Sequence, residues 1–198
     1  MRFTYAQFRF SLYTMMYLVA VLAPEPVYSA VWAMKQDVHA QTGSRNAVRL
    51  PPHITLLPPW HQPPEQEENL ISCLQSQALQ LPVFTAEVQD FAWFGTRTLF
   101  VRVLPHPQWP ILQQELEVQC AAWLPKAVNK QRPFTPHMTL ATRDLPARLV
   151  PQLKQQYAQQ HFQASFPVEN MTLFRHDGQQ WQPIHTFPFR GGGASESA

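Results

Sequence analysis

The alternation of apolar and polar positions divides the chain into short elements of two kinds. Residues 12–23 form a nearly unbroken apolar run in which Tyr13, Thr14, Tyr17, Val19 and Val21 favour extended backbone, and the run stops at Pro24-Glu25-Pro26. Two readings fit it. It is a buried first strand, or it is the apolar centre of a secretory signal, with Arg2 and Arg9 before it and Ser29 and Ala30 behind it. It is too short to span a membrane. Val27, Val31, Met34 and Val38 then recur at helical spacing over residues 25–41, and Gly43 supplies the stop. Residues 47–57 predict a strand begun through Pro51-Pro52, which suits a strand start or an edge.

A Pro-rich turn, Pro58 to Pro64, leads into a predicted helix over residues 64–79. Glu65, Glu67 and Glu68 fall in its first turn, where the dipole favours acids, and Leu70, Ile71, Leu74 and Ala78 form its apolar face. Residues 82–93 and 97–104 predict a hairpin around Gly95, with Leu99, Val101 and Val103 on one face and Phe100 and Arg102 on the other. A helix over 109–124 turns Leu112, Leu116, Cys120 and Trp123 inward. A strand over 134–142 and a helix over 148–161, with Leu149, Leu153 and Tyr157 inward, come next. Strands over 163–168, 170–176 and 180–189 close the fold, the last two joined at Asp177-Gly178. The order β-α-β-α-β-β-α-β-α-β-β-β gives an α+β class with mostly antiparallel pairing, not a doubly wound sheet.

Composition narrows the chemistry. The 198 residues suit one domain or two small lobes on one core. A net charge of +2 is too small for a long nucleic-acid track but suits a small anion or an RNA end. Six glycines, three of them in the tail, leave no Gly-rich phosphate loop. Cys73 and Cys120 show no zinc spacing and read as buried free thiols, with a disulfide between them as the alternative.

One pattern occurs twice. PPHITLLP occupies 51–58 and TPHMTLAT occupies 135–142, each reading Pro-His-apolar-Thr-Leu. In a strand, residues i and i+2 share a face, so His53 and Thr55 point one way and Ile54 and Leu56 the other. His137 and Thr139 are arranged likewise against Met138 and Leu140. A lone His-x-Thr is usually a packed or solvent-facing histidine, and the chain has eight histidines. Only these two begin a His-x-Thr, and both share the flanking Pro and Leu. Two imidazoles and two hydroxyls around one cavity match in-line attack at phosphorus. One imidazole takes a proton from the nucleophile, the other gives one to the leaving oxygen, and the hydroxyls bond the non-bridging oxygens. Two histidines alone lack the third protein ligand that catalytic zinc sites usually have.

At these residues the sequence resembles the 2H phosphoesterase superfamily, and within it the 2′-5′ RNA ligase-like branch that includes the RNA 2′,3′-cyclic phosphodiesterases. The resemblance runs from Tyr17 to about Phe189 and includes YLVAVLAP, PPHITL, RPFTPHMTLATR and MTLFRHDGQQW. It implies one bilobal domain over residues 1–190, with two mostly antiparallel sheets related by a pseudo-twofold axis, helices outside and a central cleft. Residues 191–198 are left as a disordered tail. In that fold the first strand belongs to the core, which favours the strand reading of 12–23 and leaves Met1 to Arg9 as an unexplained extension.

The resemblance also implies hydrolysis of a 2′,3′-cyclic phosphate to a 2′-phosphate, with 2′-5′ joining of RNA ends in some members. His53 would protonate the departing 3′ oxygen, His137 would take the proton from water, and Thr55 and Thr139 would hold the phosphate. The implied partner is an RNA end or a cyclic nucleotide, with no cofactor, metal or membrane, for a monomer in the cytoplasm. The branch commonly has Leu-Ala-Arg after its second motif, whereas here Arg143 stands one position later, after Thr142. In a regular strand Arg143 would face away, and a bulge or strand end is needed to make it a phosphate ligand. Phe134 and Trp60 are candidates for stacking on a base, with core packing as the alternative for each. Other readings are a cyclic phosphodiesterase of small-molecule nucleotide metabolism, a non-catalytic binder of RNA ends, and an exported protein.

Overall fold

The computed structural model describes residues 14–122 and 134–190. The extension Met1 to Arg9, the start of the 12–23 run, Trp123 and the 191–198 tail lie outside them. The apolar run forms a central strand, β1 (Met15–Leu22), hydrogen-bonded to β2 (His53–Gln62) on one side and β7 (Asn170–His176) on the other. Tyr17, Val19 and Val21 enter the main core, while Leu18 and Ala20 pack with Phe174 on the opposite face. Burial on both faces is why this strand is apolar throughout instead of alternating.

The sheet has eight strands in the order β6-β3-β4-β5-β2-β1-β7-β8, completed by β3 (Phe84–Phe94), β4 (Thr98–Val103), β5 (His137–Ala141), β6 (Gln163–Val168) and β8 (Trp181–Pro188). Every pairing between them is antiparallel. By hydrogen bonding this is one sheet, where two were expected. Its middle is thin, however, because β2 and β5 share a single pair, Ile54 with Met138. Four strands lie on each side of that seam. The helices are α1 (Val27–Thr42), the one-turn α2 (Arg45–Val48), α3 (Glu67–Ala78), α4 (Gln108–Gln119) and α5 (Val150–Ala158). The run β1-α1-β2-α3 recurs as β4-α4-β5-α5, so the sequence echo reappears as matching connectivity. Among the described residues no helix is long and apolar enough to cross a membrane.

The expected turn at Pro58 is instead part of β2, which runs on to Gln62. Proline is tolerated there for two reasons. Beyond Ile54 the edge of β2 facing β5 makes no ladder pair. On the β1 side the register shifts on either side of Val19, so Leu56 and Leu57 are both buried, and exposed Pro58 and Pro59 lie between the Val19–Leu57 and Tyr17–Trp60 pairs. The start of α3 is tied to the sheet as well. Glu67 accepts the buried Tyr17 hydroxyl at 2.9 Å and is paired with Arg175, also at 2.9 Å. Cys73 and Cys120 are free thiols on neighbouring helical segments.

Candidate active site

Both histidines open a strand, and both follow a proline. His53 Nδ1 lies 2.7 Å from the Pro51 carbonyl, and His137 Nδ1 lies 2.8 Å from the Thr135 carbonyl. A carbonyl oxygen only accepts, so Nδ1 carries the hydrogen in each ring, and Nε2 is left with its lone pair. The same local turn thus orients both rings and selects the same tautomer.

The Ile54–Met138 pair sets the register between the motifs. In an antiparallel ladder it places His53 across from Thr139 and Thr55 across from His137. Opposed residues share a face, so the four side chains form a two-by-two block, while Ile54 and Met138 are fully buried beneath them. The two imidazoles occupy a diagonal of that block, where Cβ atoms typically stand about 7 Å apart.

The rows continue on both flanks. Toward β1, His53 pairs with Leu22 and Thr55 with Ala20. Toward β4, His137 pairs with Arg102 and Thr139 with Phe100. Arg102 is exposed, and its Nε donates to the Gln89 carbonyl at 3.2 Å. His137 is walled by aromatic rings, with the Phe94 centroid 4.8 Å away edge-on and that of Phe100 at 5.2 Å. Phe94 stacks on Phe100 at 4.2 Å yet is 42% exposed, so a large apolar face stands open beside the histidine.

The electrostatics favour neutral rings. Burial pushes the His53 pKa down to about 4, helped by the positive charge of Lys35 and by His137, against the Pro51 hydrogen bond. Burial also lowers His137, against its bond to Thr135. With no anion present both Nε2 atoms are lone-pair donors at neutral pH. A bound phosphate raises both affinities and lets one ring take a proton. Among the described residues no three His, Cys, Asp or Glu side chains gather into a possible metal site.

The remaining sequence candidates are placed less uniformly. Arg143 lies beyond β5, which ends at Ala141, so strand alternation does not govern it. It sits at φ 60° in a tight turn closed by Asp144 N–H on the Thr142 carbonyl at 2.7 Å. The Asp144 carboxylate holds that turn by accepting from Ser44 Oγ at 2.5 Å and from the Asn46 N–H at 3.1 Å. Phe134 is half-buried against the main core. Trp60 is 3% exposed and packs on Tyr17 at 5.9 Å, so neither face of its indole is open to a base. Phe94, absent from the sequence candidates, is the open ring beside the motifs. Only the hairpin register with β4 brings it there.

Lys35 was also missed. It is 1% exposed, and its Nζ donates to the Thr139 carbonyl at 2.8 Å. The signal was present in the sequence, because Lys35 continues the Val27, Val31, Val38 stripe that the helix buries.

Comparisons with known proteins agree with this architecture. A protein from Thermus thermophilus, TT0787, matches with a TM-score of 0.67 at 22% identity, over 90% of this chain and 100% of that one. Escherichia coli LigT complexed with 3′-AMP matches with a TM-score of 0.59 at 19% identity, over 89% and 99%. LigT complexed with NADP+ matches with a TM-score of 0.56 at 21% identity, over 90% and 99%. At such identities these likenesses establish the fold. No curated protein matches the sequence. The family model described as the 2′-5′ RNA ligase superfamily matches residues 24–180, a span that holds both His-x-Thr strands and the seam between them. This chain therefore belongs to the 2′-5′ RNA ligase superfamily, whose members are 2H phosphoesterases.

Proposed function

We propose that this protein hydrolyses a 2′,3′-cyclic phosphate, at an RNA end or on a nucleotide, to a 2′-phosphate by two-histidine acid/base catalysis without a metal. The observation that carries the reading is the matched pair of rings. Each Nδ1 is tied to the carbonyl two residues back, and each Nε2 is free on one face of adjacent strands. Water attacks phosphorus, one Nε2 receives its proton, and the other Nε2–H passes a proton to the departing ribose oxygen. Thr55 and Thr139 donate to the non-bridging oxygens. With a 5′ hydroxyl attacking in place of water, the same transfers open the ring to a 2′-5′ phosphodiester and release the 3′ oxygen as a hydroxyl, the 2′-5′ joining reaction. A nucleotide as the ligand is supported by the open Phe94 ring and Arg102 beside His137. The nucleotide complexes of LigT point the same way.

The test is hydrolysis of 2′,3′-cyclic nucleotides and of RNA ending in a cyclic phosphate, with and without a chelator. The expected result is chelator-insensitive release of the 2′-phosphate product with a bell-shaped pH profile. His53→Ala and His137→Ala should each remove at least about 99% of the rate, since general acid–base catalysis contributes roughly 10²–10⁴-fold. Full activity in either variant, with its fold intact, would refute the mechanism.

A further inference from the structure

The face of the sheet that carries the motifs continues beyond His53. On β1, which pairs with β7 in unbroken register, Met16, Leu18, Ala20 and Leu22 alternate onto one side. Leu22 lies opposite His53 and Ala20 opposite Thr55, so this is the side of the first motif. Across β7 it continues to Phe174, opposite Leu18, and to His176, opposite Met16. Trp181 on β8 pairs with His176, and their rings meet edge-on at 5.1 Å. Leu50, shortly before the first motif, packs on Leu18, Ala20 and Phe174, which brings its neighbour Arg49 over the same face. The Arg49 guanidinium ends 2.7 Å from His176 Nε2.

This cluster lacks an acceptor that no described side chain supplies. Gly178 N–H donates to His176 Nδ1 at 3.1 Å, and a guanidinium only donates. A neutral imidazole has one acceptor nitrogen, so one of these two contacts sets donor against donor. Among the described residues no carboxylate bonds to Arg49. The adjacent Asp177 carboxylate accepts from the Gln179 and Gln180 N–H groups at 2.8 and 2.7 Å and from Gln182 Nε2 at 3.3 Å. Arg175, next along β7, is turned to the opposite face, where it pairs with Glu67. An anionic oxygen beside the guanidinium and His176 Nε2 would satisfy both donors at once.

We infer that Arg49, His176 and Trp181 form a subsite for a backbone phosphodiester and a base of single-stranded RNA, away from the reacting phosphorus. The inference rests on the two-histidine reading above and deepens it, because the whole face then takes an RNA chain and not a lone cyclic nucleotide. Met16 is four residues from Ala20, about 13 Å along β1, and β7 lies two strand spacings, about 10 Å, from β2. The cluster therefore stands on the order of 15 Å from the first motif, on the flank away from Phe94. A mononucleotide whose base stacks on Phe94 beside His137 does not reach it. A chain of several nucleotides does, with one phosphate on Arg49 and His176 and one base on the half-buried indole of Trp181.

The experiment is equilibrium binding at a series of salt concentrations. Two labelled RNAs of about six nucleotides are compared, one ending in a 2′-phosphate and one offering a free 5′ hydroxyl, with 2′-AMP as the short control. For at least one RNA, Arg49→Gln should weaken binding about tenfold at low salt. It should also flatten the slope of log K against log salt by about 0.7, the share of one phosphate contact on a single strand. Arg49→Lys should restore the slope, because the charge returns. Trp181→Leu keeps the packing on Leu18 and Phe174 but should cost about tenfold in RNA affinity with the slope unchanged. Binding of 2′-AMP should be the same throughout. The RNA that responds identifies whether the strand carrying the reacting phosphate or the joining strand lies there. Four results overturn the inference: no RNA binding by the native protein, an unchanged slope in Arg49→Gln with both RNAs, full RNA affinity in Trp181→Leu, or an equal loss on 2′-AMP. Binding needs no turnover. A protein that hydrolyses no cyclic phosphate yet keeps the Arg49-dependent slope loses only its two-histidine chemistry. One that hydrolyses 2′,3′-cyclic AMP but binds RNA independently of Arg49 loses only this subsite.

Discussion

Replacing His53 by asparagine removes a titrating ring and keeps its anchor, because the asparagine Nδ2 stands where Nδ1 donates to the Pro51 carbonyl. The buried ring has its pKa near 4 in the folded protein, mainly from burial and then from Lys35 and His137. In the unfolded chain it titrates near 6.5. Between those values the unfolded chain holds a proton that the folded protein excludes. The stability supplied by the neutral ring is thus complete above about pH 6.5 and is lost as pH falls through about 4. A gap of about 2.5 units at 1.36 kcal/mol each is about 3.4 kcal/mol. The ring keeps partial solvent access, which trims the expected effect to about 2–3 kcal/mol. Urea unfolding followed by tryptophan fluorescence at pH 7 and pH 4 reads this directly. The native protein should lose about 2–3 kcal/mol more than His53→Asn over that interval. Equal losses in the two proteins would show that burial does not hold His53 neutral.

Two further outcomes follow from the surroundings of the motifs. Phe94→Ala should raise KM for 2′,3′-cyclic AMP about tenfold with kcat little changed, because a base stacked on an aromatic ring contributes about 1–3 kcal/mol. On a base-free ribose cyclic phosphate the two proteins should behave alike, and an equal penalty there would rule out stacking. Arg143→Gly should raise stability by about 1 kcal/mol in chemical unfolding, since it frees a left-handed position from its Cβ. If hydrolysis falls while stability rises, the guanidinium serves the phosphate; an unchanged rate retires Arg143 as a ligand.

The strand period of two was enough to place His53 with Thr55 and His137 with Thr139, because the direction of neighbouring side chains along a strand is a property of the local backbone. The same locality made the helical stripe of α1 and the acidic first turn of α3 readable. Where the reading failed, a distant partner was responsible. Pro58 and Pro59 look like a turn, yet they continue β2, since β1 accommodates the register shift and the other edge of β2 is unpaired there. For Trp60 the sequence left base stacking and core packing open, and that shift seats it in the core against Tyr17.

By itself, then, the sequence determined the α+β class, the two-histidine motif and the orientation of each ring relative to its threonine. The tertiary structure decided that the motif strands are neighbours and that His53 lies across from Thr139. It also brought Phe94 beside His137 and set Lys35 on the Thr139 carbonyl. Those outcomes depend on which strands pair and in what register. That choice is made by burial and hydrogen bonding summed over the whole sheet, which no stretch of adjacent residues encodes.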